Sequence, residues 1–263
     1  MHLTGNTILI TGGTSGIGRA LAEQFHLRGN QVIVAGRRQQ RLDEITAANP
    51  GMYGLQLDIE DPASIDRVAA EVRRRFPELN VLVNNAGIQK AQDLTADDPK
   101  ILGALSIIQT NIVGTLLLTA ALLPALLQQR EATILTTSSG LAFVPRSNFP
   151  IYCASKAFLH SWLQSLRFQL RKTSVQVLEL APPYVKTELK GVDEGHAMPL
   201  DAFIAEVMAL LADPAPPRGE ILVDHVKQLR CTEWNHDYEQ KFALLNPDAT
   251  TEISRLEGQD HAH

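Results

Sequence analysis

Strict alternation is the feature that most constrains this chain. Short β-branched runs stand at 7–11 (TILIT), 31–35 (QVIVA), 53–57 (YGLQL), 80–83 (NVLV), 132–137 (ATILTT), 174–180 (SVQVLEL) and 220–224 (EILVD). Segments with helical apolar spacing separate them, such as 18–27, where Leu21, Ala22 and Phe25 recur, and 63–76. Runs that are apolar at consecutive positions need burial on both faces, which helices on either side of a parallel sheet supply. The pattern predicts a doubly wound α/β fold with a seven-stranded parallel sheet and helices on both faces. In such sheets ligands bind beyond the carboxyl ends of the strands.

The 263 residues read as one domain, since no linker divides them. Residues 182–199 are loop-like and a helical pattern through Phe203, Val207 and Leu211 follows, so 182–212 is expected to be a substrate loop with a covering helix. The polar stretch 234–263 is expected to be a C-terminal tail, its last ten or so residues mobile. A formal net charge of -5 offers no field for holding nucleic acid. Leu116–Leu127, the most apolar run, falls short of the about 20 residues a bilayer needs and holds Pro124, so a buried or subunit-facing helix is expected and no membrane partner. Cys153 and Cys231 fit neither a disulfide framework nor a metal spacing, and are read as small core residues in a reducing cytoplasm. The N-terminal MHLTGNTILITGG lacks the pattern of a secretion signal.

After the first run comes Thr11-Gly12-Gly13-Thr14-Ser15-Gly16-Ile17-Gly18, and a helical pattern begins there. Strand, glycine turn and helix together make a phosphate site, because the free N–H groups and dipole of a helix N-terminus favour negative charge. Gly13 and Gly18 have the five-residue offset of a P-loop, but Arg19 and Ala20 replace its lysine and hydroxyl. A glycine turn without a ligand is the bland alternative. The second run ends at Gly36-Arg37-Arg38, where a site for NAD carries a carboxylate on the ribose. Two guanidiniums there favour NADP(H) over NAD(H), unless both are solvated residues at a helix start. Asp58 follows the third run, placed either to accept from an adenine amino group or to cap the helix before Pro62, and Asn84-Asn85-Ala86-Gly87 follows the fourth.

The segment Pro150-Ile151-Tyr152-Cys153-Ala154-Ser155-Lys156 opens another helix. Lys156, Leu159, Leu163, Leu166 and Leu170 fall within about 40° of Tyr152 on the helical wheel. Tyrosine and lysine thus head a buried stripe, and an adjacent ammonium is expected to lower a phenol pKa that starts near ~10. Such a phenol is suited to act as a general acid or base. Ser139, thirteen residues earlier, is placed to hydrogen-bond a substrate oxygen. Asn111 is polar in an apolar stretch, with a structural bond to the backbone as its alternative role. His160 lies off the tyrosine face and no G-x-S-x-G elbow is present, so a serine hydrolase is not supported.

With these motifs the chain, from about 3 to 189, resembles the short-chain dehydrogenase/reductase family, and within it the bacterial DltE-type oxidoreductases. The resemblance implies a Rossmann-type nucleotide-binding fold and a cytoplasmic oxidoreductase that moves hydride between NADP(H) and a small carbonyl or secondary alcohol. Tyr152 is then the acid/base, Lys156 lowers its pKa and bonds the nicotinamide ribose, Ser139 positions the substrate oxygen, and Asn111 holds a water relaying protons to Lys156. Cofactor contacts are expected from Gly12, Thr14, Ser15, Gly16, Ile17, Gly18, Arg37, Arg38, Asp58, Ile59, Asn85, Ala86, Gly87, Tyr152, Lys156, Val185 and Thr187. No metal is expected, since the tyrosine and serine handle charge on oxygen. A homodimer or homotetramer is implied through helices near 100–129 and 152–171, whose second apolar side includes Phe158 and Trp162. Pro182-Pro183-Tyr184-Val185 departs from the family's Pro-Gly, and Pro183 offers no N–H there. A catalytically silent NADP(H)-binding sensor or structural protein on the same fold is the alternative.

Overall fold

A computed structural model describes residues 1–97, 101–187 and 197–246. Strands β1 (Thr7–Thr11), β2 (Gln31–Gly36), β3 (Tyr53–Gln56), β4 (Leu79–Asn84), β5 (Ala132–Thr137), β6 (Val175–Leu180) and β7 (Glu220–Ile221) form one sheet in the order β3-β2-β1-β4-β5-β6-β7. Every pairing is parallel. The order reverses between β1 and β4, and the crevice at that switch point is where a doubly wound sheet takes its ligand. The predicted fold class is the observed one. The last strand is shorter than its sequence run, because Asp224 already opens a helix.

Two apolar layers sandwich the sheet. Ile8, Ile10, Val32 and Val34 face one of them, with α1 (Gly16–Leu27), α2 (Gln39–Ala48) and α7 (Leu200–Leu211). Leu9, Ile33 and Leu82 face the other, with α3 (Pro62–Arg75), α5 (Thr115–Leu126) and α6 (Pro150–Leu170). Neighbouring strand residues therefore serve opposite cores, which is why these runs lack polar alternation. Asp61, whose side chain accepts from the Ala63 N–H at 2.9 Å, caps α3, with Pro62 at the first helical position. The capping role considered for Asp58 thus belongs to its neighbour three residues on.

Between β4 and β5 the chain runs as α4 (Ile101–Ile108), a π-helical turn (Gln109–Gly114) and α5 without a break. The expectation of a helix too short for a bilayer is corrected here: by length and apolarity Gly103–Leu126 suffices, because the apolar pattern continues N-terminally through the π turn. One side of that helix is core, with Ile107, Leu118, Leu122 and Leu126 fully buried. Leu105, Ile108 and Leu117 lie exposed on the other side, as does Phe158 of α6.

After β7 come α8 (Asp224–Arg230), α9 (Thr232–Asn235) and α10 (Tyr238–Leu245). The tail expected from 234 onward therefore begins as helix, and Asn246 Nδ2 ties it back by donating to the Pro145 carbonyl at 3.2 Å. The mobility expected for its last residues falls outside the described residues, as does the middle of the expected substrate loop, 188–196. The flanks of that loop are joined: Val185 bridges Met198, and the Lys186 N–H donates to the Met198 carbonyl at 3.0 Å.

The π turn sits against the end of β3. A Cβ added at Gly114 would lie 2.2 Å from the Ile59 carbonyl oxygen. Neither backbone can yield without moving β3's exit or the helix, so Gly114→Ala is expected to cost about 1–3 kcal/mol by overpacking. Thermal melting should show Tm lower by roughly 3–10 °C for a chain of this size; an unchanged Tm would show that the contact is slack.

Candidate active site

The exits of β1, β4 and β5 meet at the switch point and hold one another. Thr11, the last residue of β1, accepts at Oγ1 from the N–H groups of both Asn85 and Ala86 at 3.0 Å. The Asn85 amide donates back to the Thr11 and Gly12 carbonyls at 3.3 and 3.4 Å, and its Oδ1 accepts from Thr137 Oγ1 at 3.3 Å. Asn84 bonds Thr119 and Thr136. The Asn-Asn pair is thus the clamp that sets the spacing of the three strand ends.

The glycine loop is shaped by that clamp. Gly12 has φ +63, which side chains rarely adopt, and a Cβ at Gly18 would stand 2.4 Å from both Asn85 Nδ2 and the Gly12 carbonyl oxygen. Only glycine lets α1 start this close to the loop. Ser15 is the N-cap of α1, but its side chain makes no capping bond, and the first turn carries no acidic residue. The opening N–H groups of α1 are thereby left to an anion at the mouth of the crevice. Thr14 packs beside Gly36 at the end of β2, Ile17 turns inward against the core, and Thr187 lies against Gly16. This cradle fits a dinucleotide's phosphates.

Arg37 and Arg38 are exposed at the exit of β2, and Arg38 is the N-cap of α2. Arg37 Nη1 lies 3.7 Å from Glu60 Oε1, an oxygen that also accepts from Thr110 Oγ1 at 2.7 Å. Asp58 Oδ1 accepts from the Glu60 N–H at 3.0 Å, and Ile59 is buried against the π turn. These residues extend the crevice from the glycine loop toward β3. Gly87 is at its other end: a Cβ there would lie 3.6 Å from Lys156 Nζ.

Asn111, fully buried in the π turn, receives the Ile88 N–H at 2.9 Å and donates to the Ile88 carbonyl and Ser155 Oγ at 3.0 Å each. Its amide therefore does make the structural backbone bond weighed from sequence, joining the loop after β4 to α6. Inserted residues in π turns often re-aim a helix side chain at a functional site.

Lys156, Leu159, Leu163, Leu166 and Leu170 are buried along α6 as the wheel predicts, while Tyr152 is half-buried at its head. Cys153 is buried too, its thiol 3.4 Å from the Arg146 N–H; Cys231 is only half-buried. Lys156 Nζ donates to the Thr137 carbonyl at 2.9 Å and lies 5.7 Å from the centre of the Tyr152 ring. Ser139 stands near enough to the Tyr152 hydroxyl to lower its pKa, and its Oγ accepts from the Leu141 N–H at 3.1 Å. Lysine, serine and tyrosine are thus assembled at the end of β5.

The expected drop in the tyrosine pKa is not found. Burial pushes the Tyr152 phenol up to about 12, and the nearby Ser139 hydroxyl only partly opposes it. Burial also pulls the Lys156 ammonium down to about 8, against the attraction of Glu179. Desolvation penalises both charged forms, and a lysine bonded to a carbonyl rather than to the phenol oxygen does not outweigh it.

Three residues of this neighbourhood were not singled out from sequence. Glu179, near the end of β6, is fully buried, accepts from Ser138 Oγ and lies 2.8 Å from His160 Nδ1. A glutamate inside the apolar run SVQVLEL was the available signal. The buried amide of Asn148 and the amide of Gln89 have no partner among the described residues. Their segments are joined by the Gln92 N–H, which donates to the Asn148 carbonyl at 3.0 Å.

Similarity to known proteins agrees with this geometry. The model of the short chain dehydrogenase family matches residues 6–195. The chain is 43% identical over 189 residues to the uncharacterized oxidoreductase DltE of Bacillus subtilis (strain 168), spanning 72% of this chain and 75% of that one. It is 32% identical over 196 residues to the NADP-dependent 3-hydroxy acid dehydrogenase YdfG of Shigella flexneri, spanning 72% and 79%. A solved short-chain dehydrogenase from Burkholderia cenocepacia J2315 in complex with NADP superposes with a TM-score of 0.80 at 25% identity, covering 93% of this chain and 99% of that one. With its seven parallel strands, glycine cradle and assembled serine, tyrosine and lysine, the chain belongs to the short-chain dehydrogenase family of nicotinamide-dependent oxidoreductases acting on alcohol and carbonyl groups.

Proposed function

We propose that the protein is an NADPH-dependent reductase, or the reverse dehydrogenase, acting on a small carbonyl or secondary alcohol with Tyr152 as the acid/base. The observation that carries this reading is the convergence of Ser139, Tyr152 and the buried Lys156 ammonium at the end of β5. Bound nicotinamide supplies or accepts the hydride. Ser139 and Tyr152 hold the substrate oxygen between two hydroxyls. In reduction Tyr152 gives its proton to that oxygen as negative charge develops, and a phenol held protonated at neutral pH is in the form to do so. Lys156 then stabilises the phenolate left behind. In oxidation the same groups act in reverse.

NADP(H) is favoured because the residues that follow β2 are Arg37 and Arg38 rather than a carboxylate. A 2′-phosphate would draw Arg37 from Glu60, since a forked guanidinium pairs more strongly with a dianion. The amides of Gln89 and Asn148, without partners among the described residues, favour a substrate with a polar end, and the likeness to a 3-hydroxy acid dehydrogenase makes 3-hydroxy acids the first compounds to try. The exposed apolar side of α4, α5 and α6 supports self-association as a dimer or tetramer.

On a panel of 3-hydroxy acids and small carbonyls, followed by NADPH absorbance, Tyr152→Phe is expected to lower kcat by about 10²-fold or more. Equal rates would refute the acid/base role. Replacing Arg37 and Arg38 together by alanine should raise KM for NADPH about tenfold or more, as the loss of a charge-assisted pair implies, and leave KM for NADH nearly unchanged. Tighter binding of NADH than NADPH by the unmodified protein would contradict the cofactor assignment.

The buried ammonium makes a separate stability prediction. Its folded-state pKa of about 8 lies below the ordinary 10.5, so below pH 8 both folded and unfolded forms are charged and the burial penalty is present in full. Between about 8 and 10.5 the folded protein releases the proton first, and stability rises with pH. Lys156→Met is therefore expected to raise Tm by a few degrees at pH 7, with the gain shrinking as pH approaches 10.5. A gain independent of pH would show that packing alone is responsible.

A further inference from the structure

Behind the reacting residues lies a buried charged cluster that the mechanism above does not use. Thr137, Ser138 and Ser139, consecutive at the end of β5, each face a different group: the Thr137 carbonyl receives Lys156 Nζ, Ser138 Oγ donates to Glu179 Oε1 at 2.5 Å, and Ser139 stands by the Tyr152 hydroxyl. The other carboxylate oxygen of Glu179 lies 2.8 Å from His160 Nδ1, one helical turn beyond Lys156 on α6. Glu179 is thus fully buried and met at both oxygens, by the residue after Thr137 and by the residue one helical turn from Lys156.

The charges facing Glu179 come from every element around it. From α6 there are Lys156, His160 and Arg167, and from α8 Arg230. From β7 comes Glu220, with polar atoms of His160, Glu179 and Glu220 all within 4.8 Å of one another. Arg230 donates to both oxygens of Glu220, at 2.9 and 3.1 Å, so that pair is matched and is no open cation site. Arg167 is occupied at the Val177 carbonyl, 2.9 Å away. The carboxylate of Glu179, in contact with Ser138 and His160, is the negative charge that attracts Lys156, whose own hydrogen bond goes to a neutral carbonyl.

We propose that Glu179 is a positioning residue whose carboxylate, held by Ser138 and His160, balances the Lys156 ammonium in its buried seat and keeps it charged for Tyr152. The chemical significance rests on the assignment of Tyr152 and Lys156 as the reacting pair. A buried cation without a counter-charge sheds its proton, and a neutral lysine cannot stabilise a phenolate. A carboxylate engaged by Ser138 and His160 keeps the ammonium without itself bonding the reacting hydroxyls.

The test is a 13C NMR titration of the full chain labelled at lysine Cε, the Lys156 resonance being identified by its loss in Lys156→Arg. It needs neither cofactor nor turnover, so its failure is distinguishable from failure of the oxidoreductase reading. The expected midpoint for the unmodified protein is about 8, and Glu179→Gln should lower it by about half a pH unit or more. Ser138→Ala, which keeps the charge but loosens its tether, should shift it less. An unchanged midpoint in folded Glu179→Gln overturns the proposal, as does a Ser138→Ala shift equally large, which would point to packing rather than charge. If Glu179→Gln does not fold, a 13Cδ spectrum of glutamate-labelled unmodified protein decides: Glu179 ionised at pH 7 supports the proposal, and Glu179 protonated at pH 7 overturns it.

Discussion

Burial of the sheet on both faces is the constraint from which the rest follows. Ile8, Leu9 and Ile10, or Val32, Ile33 and Val34, are fully enclosed, so no polar side chain has a place along the middle of these strands. Polar groups gather where the strands stop. All strands being parallel, their carboxyl ends lie on one side, and the reversal of order between β1 and β4 opens that side into a crevice. The hydroxyls, amides and glycines of the site occupy the few positions where the double cover ends.

That arrangement works only if separate strand ends keep their spacing. Thr11 and Asn85 accomplish this by exchanging bonds between β1 and β4, and Thr137 extends the link to β5. Asn111 does the equivalent for the loop after β4 and for α6. These are neutral bonds in a dry setting, where each unmet group would cost about 1–3 kcal/mol. They form a frame strong enough to hold a costly element, the Lys156 ammonium, out of water.

The energetics of the pair at the head of α6 invert the simple expectation. Proximity of a cation to a phenol suggests an acidic tyrosine, yet desolvation acts on both partners and wins on both. The phenol is held protonated and the ammonium is held marginally. Such poise is a property of burial depth, offset for the lysine by the attraction of Glu179.

Much of this was legible in the chain itself. Continuous apolar runs determined a doubly covered parallel sheet, glycine spacing determined a helix that starts at a phosphate-sized cradle, and the 3.6-residue period placed Lys156 and four leucines on one buried stripe. These are local signals, carried by residues a few positions apart. What only the tertiary structure decided involves partners far apart in sequence. Asp61 rather than Asp58 caps α3, the helix before β5 runs on through a π turn, and the tail from 234 opens as helix. Lys156 bonds Thr137 instead of Tyr152, and Glu179, 23 positions further on, reaches His160 one turn away from it. Sequence period tells which side of a helix is buried; hydrogen-bond partners and electrostatic environment depend on which strand end that side meets, and this exists only once the sheet is assembled.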